Sequence, residues 1–260
     1  MRVILQGGTE MTQKVVVINY PYPVAKPYSI IGDETESPQQ KLWSLPFTLY
    51  QILRIVTLPL VSQYLNDGRN IDDFSEEELK SVKSINEAVA RIRCPFFSDW
   101  IGLYLTLCKH MPKLFEKPFF PLDAESLKGK VDIPEAFFDL KGSRSINRME
   151  AILALRNALA HGGQLPDEKR CLEIIDFYLP MLDFILDKFS FLSKSSLLVM
   201  TDEEVEDYQD SVMVKKLTGV EPPEQEEMEI DEELREYFKR YVVMKNEKGK
   251  YMPLFPLFIK

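Results

Sequence analysis

The strongest constraint on the fold is a helix start at residue 37 followed by an apolar stripe. Ser37 is placed to cap the helix, Pro38 suits its first turn, and Gln40 completes a capping box. The apolar positions that follow recur at helical spacing: Leu42, Leu45, Leu49, Ile52, Leu53, Val56 and Leu60. The pattern predicts a long helix with kinks at Pro46 and Pro59.

Four further segments show helical periodicity. A second capping box at Ser75 to Glu78 introduces a second stripe, and a third helix is predicted to begin near Ser98. A fourth is predicted from about Ser145 to Gly162-Gly163, and a fifth is expected to pack antiparallel to it. The patterns predict a mainly α fold with a helical bundle over residues 37–200.

The segments before and within the predicted bundle differ from it in character. Prolines at 21, 23 and 27 exclude a long helix, so residues 1–36 are expected to form an extended arm, and the apolar run Val15 to Ile18 indicates a short strand or part of that arm. Residues 112–144 are rich in proline, glycine and aromatic residues and are predicted to form a long, partly ordered loop.

The C-terminal part combines an acidic stretch with an apolar end. Residues 201–236 are predicted to form an acidic linker with some helical content near residues 230–238. Residues 237–260 are predicted to form a β-hairpin around Asn246 to Gly249, or the start of a further domain. Because the last residues are apolar and typical of a strand, we expect the chain to be the N-terminal part of a longer protein.

The charge distribution argues against a broad surface for duplex nucleic acids. Of the net charge of −9, residues 201–236 supply −12 with 15 acidic and three basic residues, residues 1–200 carry −2, and residues 237–260 carry +5. RNA is therefore expected to be gripped locally, in a cleft where two copies pool their arginines. Two aromatic pairs, Phe96-Phe97 and Phe119-Phe120, can stack bases or pack in the core.

The cysteines and the hydropathy pattern exclude several other classes. Cys94, Cys108 and Cys171 lack metal-ligand spacing, and an odd number argues against a disulfide framework. No stretch approaches 18 uninterrupted apolar residues, so no membrane span is expected. We expect a cytoplasmic protein without metal or cofactor.

The segment Leu-Arg-Asn-Ala-Leu-Ala-His-Gly-Gly at residues 155–163 carries the candidate chemistry. It holds Arg156, Asn157 and His161. Histidine titrates near neutrality and arginine binds phosphate oxygens through two parallel hydrogen bonds, which suits RNA cleavage without a metal. On an ideal helix Asn157 and His161 share a face, whereas Arg156 lies about 140° from His161.

The Arg-Asn-x-x-x-His element at the end of an amphipathic helix resembles the signature of the HEPN family (higher eukaryotes and prokaryotes nucleotide-binding), whose active members are metal-independent ribonucleases. The resemblance implies a homodimer in which two motif helices pack around a two-fold axis and line one cleft. It implies that Arg156 binds the scissile phosphate, His161 acts as acid or base, and Asn157 orients either one. A subgroup of toxins has tyrosine two residues after the histidine, where this chain has Gly163.

Residues 19–28, Asn-Tyr-Pro-Tyr-Pro-Val-Ala-Lys-Pro-Tyr, resemble N-terminal modules that precede kinase, ATPase or other effector domains in multidomain bacterial proteins. The first functional hypothesis is a dimeric HEPN-type endoribonuclease that cleaves RNA in bacterial stress or phage defence. The second is a non-catalytic dimerisation or sensor module that regulates an attached or associated effector. A small-molecule or nucleotide pocket in the bundle is the third.

The candidate residues also have purely structural interpretations. His161 can serve as a cation at a helix C-terminus, where it interacts favourably with the helix dipole. Arg156 can pair with an acidic side chain such as Glu150 or Glu173.

Overall fold

The structure is a computed structural model that describes residues 8–66, 68–69, 71–92, 95–127, 129–133, 144–161, 166–201, 210–240 and 242–254. Its helices are α1 (Gly8–Asn19), α2 (Tyr22–Gly32), α3 (Pro38–Leu65), α4 (Glu76–Arg91), α5 (Phe97–Leu114), α6 (Arg148–His161), α7 (Glu168–Lys188) and α8 (Glu232–Arg240). Its strands are β1 (Lys130–Ile133), β2 (Arg144–Asn147), β3 (Ser196–Met200), β4 (Ser211–Leu217), β5 (Glu224–Glu229), β6 (Val243–Lys245) and β7 (Tyr251–Pro253). The protein is mainly α, as predicted, and its C-terminal part contains an antiparallel sheet that is larger than the predicted hairpin.

Helix α3 lies at the centre of the helical part. Its capping box is present: the Gln40 amide donates to Ser37 Oγ at 3.2 Å, and the Ser37 amide donates to Gln40 Oε1 at 3.1 Å. The helix continues through Pro46 and Pro59. Helices α2, α5, α6 and α7 and strand β7 pack against it, so nearly all of its apolar stripe is buried.

Among the described residues, α3 is the one helix whose length and apolar composition would let it cross a membrane. In the fold, 83% of its most apolar 18-residue window is buried. Such burial is typical of a central core helix.

The helices predicted around α3 are confirmed. Ser75 and Glu78 form the predicted capping box of α4. Helices α5 and α6 begin at Phe97 and Arg148, within three residues of the predicted positions. Helix α7 begins after Asp167, whose side chain accepts a hydrogen bond from the Arg170 amide at 2.8 Å. The predicted stop of α6 at Gly162-Gly163 lies outside the described residues.

The extended arm predicted for residues 1–36 is wrong for the described part of that segment, which forms α1 and α2. Pro23 lies in the first turn of α2, where a missing amide hydrogen costs little. The Tyr20 hydroxyl donates to the Leu186 carbonyl oxygen at 2.9 Å, which fixes the end of α1 against α7. Packing of one helical face therefore overrides the strand preference of Val15 to Ile18.

The loop predicted over residues 112–144 is shorter than expected. Helix α5 extends to Leu114, and β1 pairs with β2 in an antiparallel ladder that aligns Lys130 with Asn147. These strands are four residues long, which is too short to leave a clear alternation in the sequence. Residues 134–143 lie outside the described part of the chain.

The acidic linker predicted for residues 201–236 is also wrong where the structure describes it. Strands β4 and β5 and helix α8 form there, in a five-stranded sheet of order β5-β4-β3-β6-β7. The predicted helical content near residues 230–238 is confirmed by α8. Strand β5 lies at the edge of the sheet and has no buried residue, so it needs no apolar side chains. Its glutamates therefore give it the composition of a solvated linker. Strand β3 belongs to this sheet although it falls within the predicted bundle.

The sheet and α8 enclose a second, smaller core, and the sheet is anchored to the helical part. Leu234 and Phe238 of α8 pack against Val212 and Val214 of β4. The Gly219 amide donates to the Tyr20 carbonyl oxygen at 2.8 Å. Gly219 has a φ of 64°, and a Cβ there would lie 2.5 Å from the Ile18 carbonyl oxygen.

The C-terminal β-hairpin is confirmed. Strands β6 and β7 pair in an antiparallel ladder that aligns Lys245 with Tyr251. Asn246 Oδ1 accepts hydrogen bonds from the amides of Lys248 and Lys250, both at 3.0 Å, and so closes the turn. Residues 255–260, where the chain was expected to continue as a strand, lie outside the described residues.

A partly buried carboxyl group joins α2 to α7. The Tyr28 hydroxyl donates to Asp183 Oδ1 at 2.5 Å, while Asp183 Oδ2 is buried without a hydrogen-bond partner within the described chain. Burial raises the pKa of Asp183 to about 6, against the opposing effect of the Tyr28 hydrogen bond. The folded protein therefore favours the protonated carboxyl group.

Replacing Asp183 by asparagine is expected to stabilise the protein near neutral pH. The pKa of Asp183 rises on folding from 3.8 to about 6. The favourable contribution of this carboxyl group to the stability of the folded protein is therefore present below about pH 4, where it is protonated, and is lost as pH rises through about 6. The loss amounts to at most about 3 kcal/mol. Urea unfolding at about pH 4 and about pH 7.5 measures it. The unfolding free energy of Asp183→Asn relative to wild type should be larger at about pH 7.5 than at about pH 4. A difference that is equal at both pH values contradicts this account.

Candidate functional site

The position of the motif residues follows from how α6 is anchored. Asn147 caps the helix: its Oδ1 accepts from the Glu150 amide at 2.9 Å, and its amide donates to Glu150 Oε2 at 3.3 Å. The buried face carries Met149, Ile152 and Leu155 at helical spacing and packs towards α3 and α7. The cap and this face together fix the rotation of α6, and the motif residues lie on its more exposed sides.

Arg156 and Asn157 are in contact. Arg156 Nη1 donates a hydrogen bond to Asn157 Oδ1 at 3.2 Å. The arginine side chain is half-buried beside α3, whereas the asparagine is exposed. The amide of Asn157 therefore holds one edge of the guanidinium group.

The acidic partners considered for Arg156 are engaged elsewhere. Glu150 binds the helix N-cap, and Glu173 Oε2 lies 2.8 Å from Arg170 Nη1. Over the described ranges, no carboxylate forms an ion pair with Arg156. Within these ranges, its positive charge is therefore not neutralised by a neighbouring acid.

His161 lies apart from Arg156 in a single chain. It is the last residue of α6 and is exposed to solvent. Five residues separate it from Arg156, which corresponds to about 7.5 Å along the helix axis and about 140° around it. One chain thus brings Arg156 and Asn157 together but not His161, and the helix-dipole interpretation of the histidine stays open.

Arg156 opens onto an aromatic cavity of about 270 Å³. We call this the aromatic cavity, and its lining consists of Trp43, Pro46, Phe47, Tyr50, Pro95, Phe96, Phe97 and Arg156. The first four residues come from α3, Pro95 and Phe96 come from the segment before α5, and Phe97 is the first residue of α5. The cavity therefore forms where α6 packs against these two helices.

The aromatic cavity has a fixed floor and an exposed rim. The Tyr50 ring meets the Phe97 ring edge-on at 5.7 Å and the Trp100 ring at 6.3 Å. On the rim, Phe96 is 74% exposed, Phe47 50% and Trp43 37%. Large aromatic side chains with such exposure mark a surface that another molecule can cover.

The sequence indicated part of this cavity and missed the rest. The pair Phe96-Phe97 is a candidate for base stacking from the sequence alone, whereas no motif indicates the rings at positions 43, 47 and 50. Those three positions recur at helical spacing beside the leucine stripe of α3, and this aromatic stripe was the available signal.

The second histidine and the described cysteines do not build a competing reactive centre. His110 Nδ1 lies 3.1 Å from Ser81 Oγ, and burial lowers the pKa of His110. Burial raises the pKa of the Cys108 thiol to about 11, so it stays protonated at neutral pH. The buried Cys171 thiol donates to the Pro166 carbonyl oxygen at 3.4 Å. Within the described part of the chain, no group of three potential metal ligands is present.

Comparisons of the chain with protein-family models, with curated proteins and with solved structures find no match.

Proposed function

We propose that this protein is a metal-independent endoribonuclease of the HEPN type, acting at a site that two protomers share. The observation that carries the proposal is the guanidinium group of Arg156, which has no carboxylate partner among the described residues and opens onto the aromatic cavity. An unneutralised arginine beside a cavity open to solvent is suited to binding a phosphate group.

The three motif residues supply the groups that the reaction needs. A base removes the proton of the ribose 2′-hydroxyl, whose oxygen attacks the neighbouring phosphorus atom, and an acid protonates the departing 5′-oxygen. His161 of one protomer takes one of these roles and His161 of the other protomer takes the second, Arg156 stabilises the charge that builds on the phosphate oxygens, and Asn157 holds the guanidinium group in place. The products are a 2′,3′-cyclic phosphate and a free 5′-hydroxyl.

Two chains are required because of where His161 lies. It is about one and a half turns beyond Arg156 and on another side of the same helix. A second copy packed against α6 brings its own imidazole group to the first copy's guanidinium group. The dimer also doubles the local positive charge, which matters because residues 1–200 carry a net charge of −2.

The exposed rim of the aromatic cavity favours a second candidate function. Trp43, Phe47 and Phe96 are also the kind of side chains found in protein interfaces. In that case the protein is a non-catalytic dimerisation or sensor module that regulates an effector. It then binds through this rim and cleaves no RNA.

Arg156→Ala and His161→Ala are each expected to reduce RNA cleavage by at least about 100-fold, since they remove phosphate stabilisation and proton transfer respectively. Cleavage of a labelled single-stranded RNA by the purified protein measures the effect. Matched controls are Arg91→Ala on the exposed end of α4 and His110→Ala on α5, which should cleave as wild type. Thermal unfolding should change little in the motif variants. Undiminished cleavage by both motif variants would refute the assignment.

Mixing the two inactive variants is expected to restore part of the cleavage. A mixed dimer of Arg156→Ala and His161→Ala chains keeps one intact arginine and one intact histidine in the shared cleft. Co-expression with two different affinity tags isolates this dimer for comparison with each parent. A mixed dimer as inactive as its parents argues against a shared site.

A further inference from the structure

We infer that the aromatic cavity binds an unpaired nucleobase of the RNA, next to the phosphate that Arg156 holds. The inference rests on the proposed function, because that function identifies RNA as the polymer that carries the base. The binding itself is carried by the geometry and charge of the cavity.

The rings of the cavity leave apolar surface exposed that a planar group can cover. Phe47 and Tyr50 are stacked with centroids 6.3 Å apart and planes inclined by 20°. The Phe96 ring, from the segment before α5, reaches the same cavity and is largely exposed. A flat ring placed among these faces removes apolar surface from water and gains stacking contacts.

The charge of the lining selects an anionic ligand. Among the described residues that line the cavity, Arg156 is the one with an ionic side chain. The carboxylate of Asp99, close by in sequence, accepts a hydrogen bond from the Phe96 amide at 2.8 Å and does not line the cavity. An aromatic ring that carries a phosphate group therefore matches both parts of the site, and a nucleotide has this chemistry.

The size of the cavity limits the ligand. Its volume of about 270 Å³ is below the range of about 300–1,000 Å³ typical of pockets for drug-sized ligands. The cavity therefore accepts one ring system rather than a stretch of polymer. Stacking on aromatic side chains requires an unpaired base, so the site selects single-stranded RNA over duplex.

A second copy of the chain is a weaker occupant for this surface. Aromatic side chains bury about 150–250 Å² each, so three partly exposed rings supply roughly 300 Å². A stable protein interface needs about 800 Å² from each partner. The rim is therefore better matched in size to one base than to a protein partner.

The two tryptophans allow a direct binding experiment. Trp43 lies on the rim, whereas Trp100 is fully buried, so a stacked base is expected to quench the emission of Trp43. The probe is an uncleavable oligoadenylate with 2′-O-methyl groups, which is added to the full chain. Wild-type emission should fall to saturation, and Trp43→Phe should lose the quenching but still bind the probe in fluorescence anisotropy.

Phe96→Ala and Phe47→Ala are expected to weaken binding of this probe about 5- to 100-fold, which is the usual effect of removing one stacking side chain. Both residues are largely exposed, so folding should be retained. The matched control is Tyr22→Ala on α2, an exposed aromatic residue outside the cavity, which should bind as wild type.

The outcomes separate this inference from the proposed function. Binding that depends on Phe96 and Phe47, without any RNA cleavage by wild type, supports the base site and refutes the nuclease. RNA cleavage and probe binding that are unchanged in both variants overturn the base site and leave the nuclease standing. If the probe does not bind, and light scattering shows a dimer that Phe96→Ala converts to a monomer, the base site is overturned and the rim is a protein interface.

Discussion

Burial of α3 is the constraint on which the rest of the fold depends. The helix is apolar along most of its 28 residues, and water must be excluded from several of its sides at once. Four helices and strand β7 provide that cover, and the Ser62 hydroxyl donates to the Pro253 carbonyl oxygen at 2.5 Å where the strand lies against it. Helices and sheet are thus arranged around one central element.

The candidate site lies where the neighbouring helices and strand β7 leave part of α3 exposed. Trp43 and Phe47 lie near the start of α3 and stay partly exposed, although the helix beyond them is almost completely buried. Helix α6 packs beside this stretch in a rotation fixed by its cap and apolar face, so Arg156 points towards the exposed rings. The same packing that stabilises the bundle therefore places a cation, without a carboxylate partner in the described part of the chain, next to aromatic faces. In our proposal, this combination recognises RNA.

Local signals in the sequence predicted the secondary structure well where a segment's structure depends only on nearby residues. They predicted it less well where tertiary contacts determine the structure of a segment. The capping residues Ser37 and Ser75 fixed the starts of α3 and α4, because a cap is satisfied by its own helix. The helices before residue 33 and the strands after residue 210 depend on distant partners, which no local pattern reveals. For the site, the motif predicted Arg156 and its neighbour, whereas the contribution of Trp43 required knowing how α3 and α6 pack.

Photo-cross-linking tests the central claim, that RNA binds at the aromatic cavity beside Arg156, most directly. A single-stranded RNA containing 4-thiouridine is irradiated with the full chain, and the modified peptides are identified by mass spectrometry. The account predicts adducts on the cavity rim, at Trp43, Phe47 or Phe96, that are lost when Arg156 is replaced by alanine. Adducts concentrated elsewhere, such as the groove between α4 and α5 that Arg91 and Lys109 line, would contradict it.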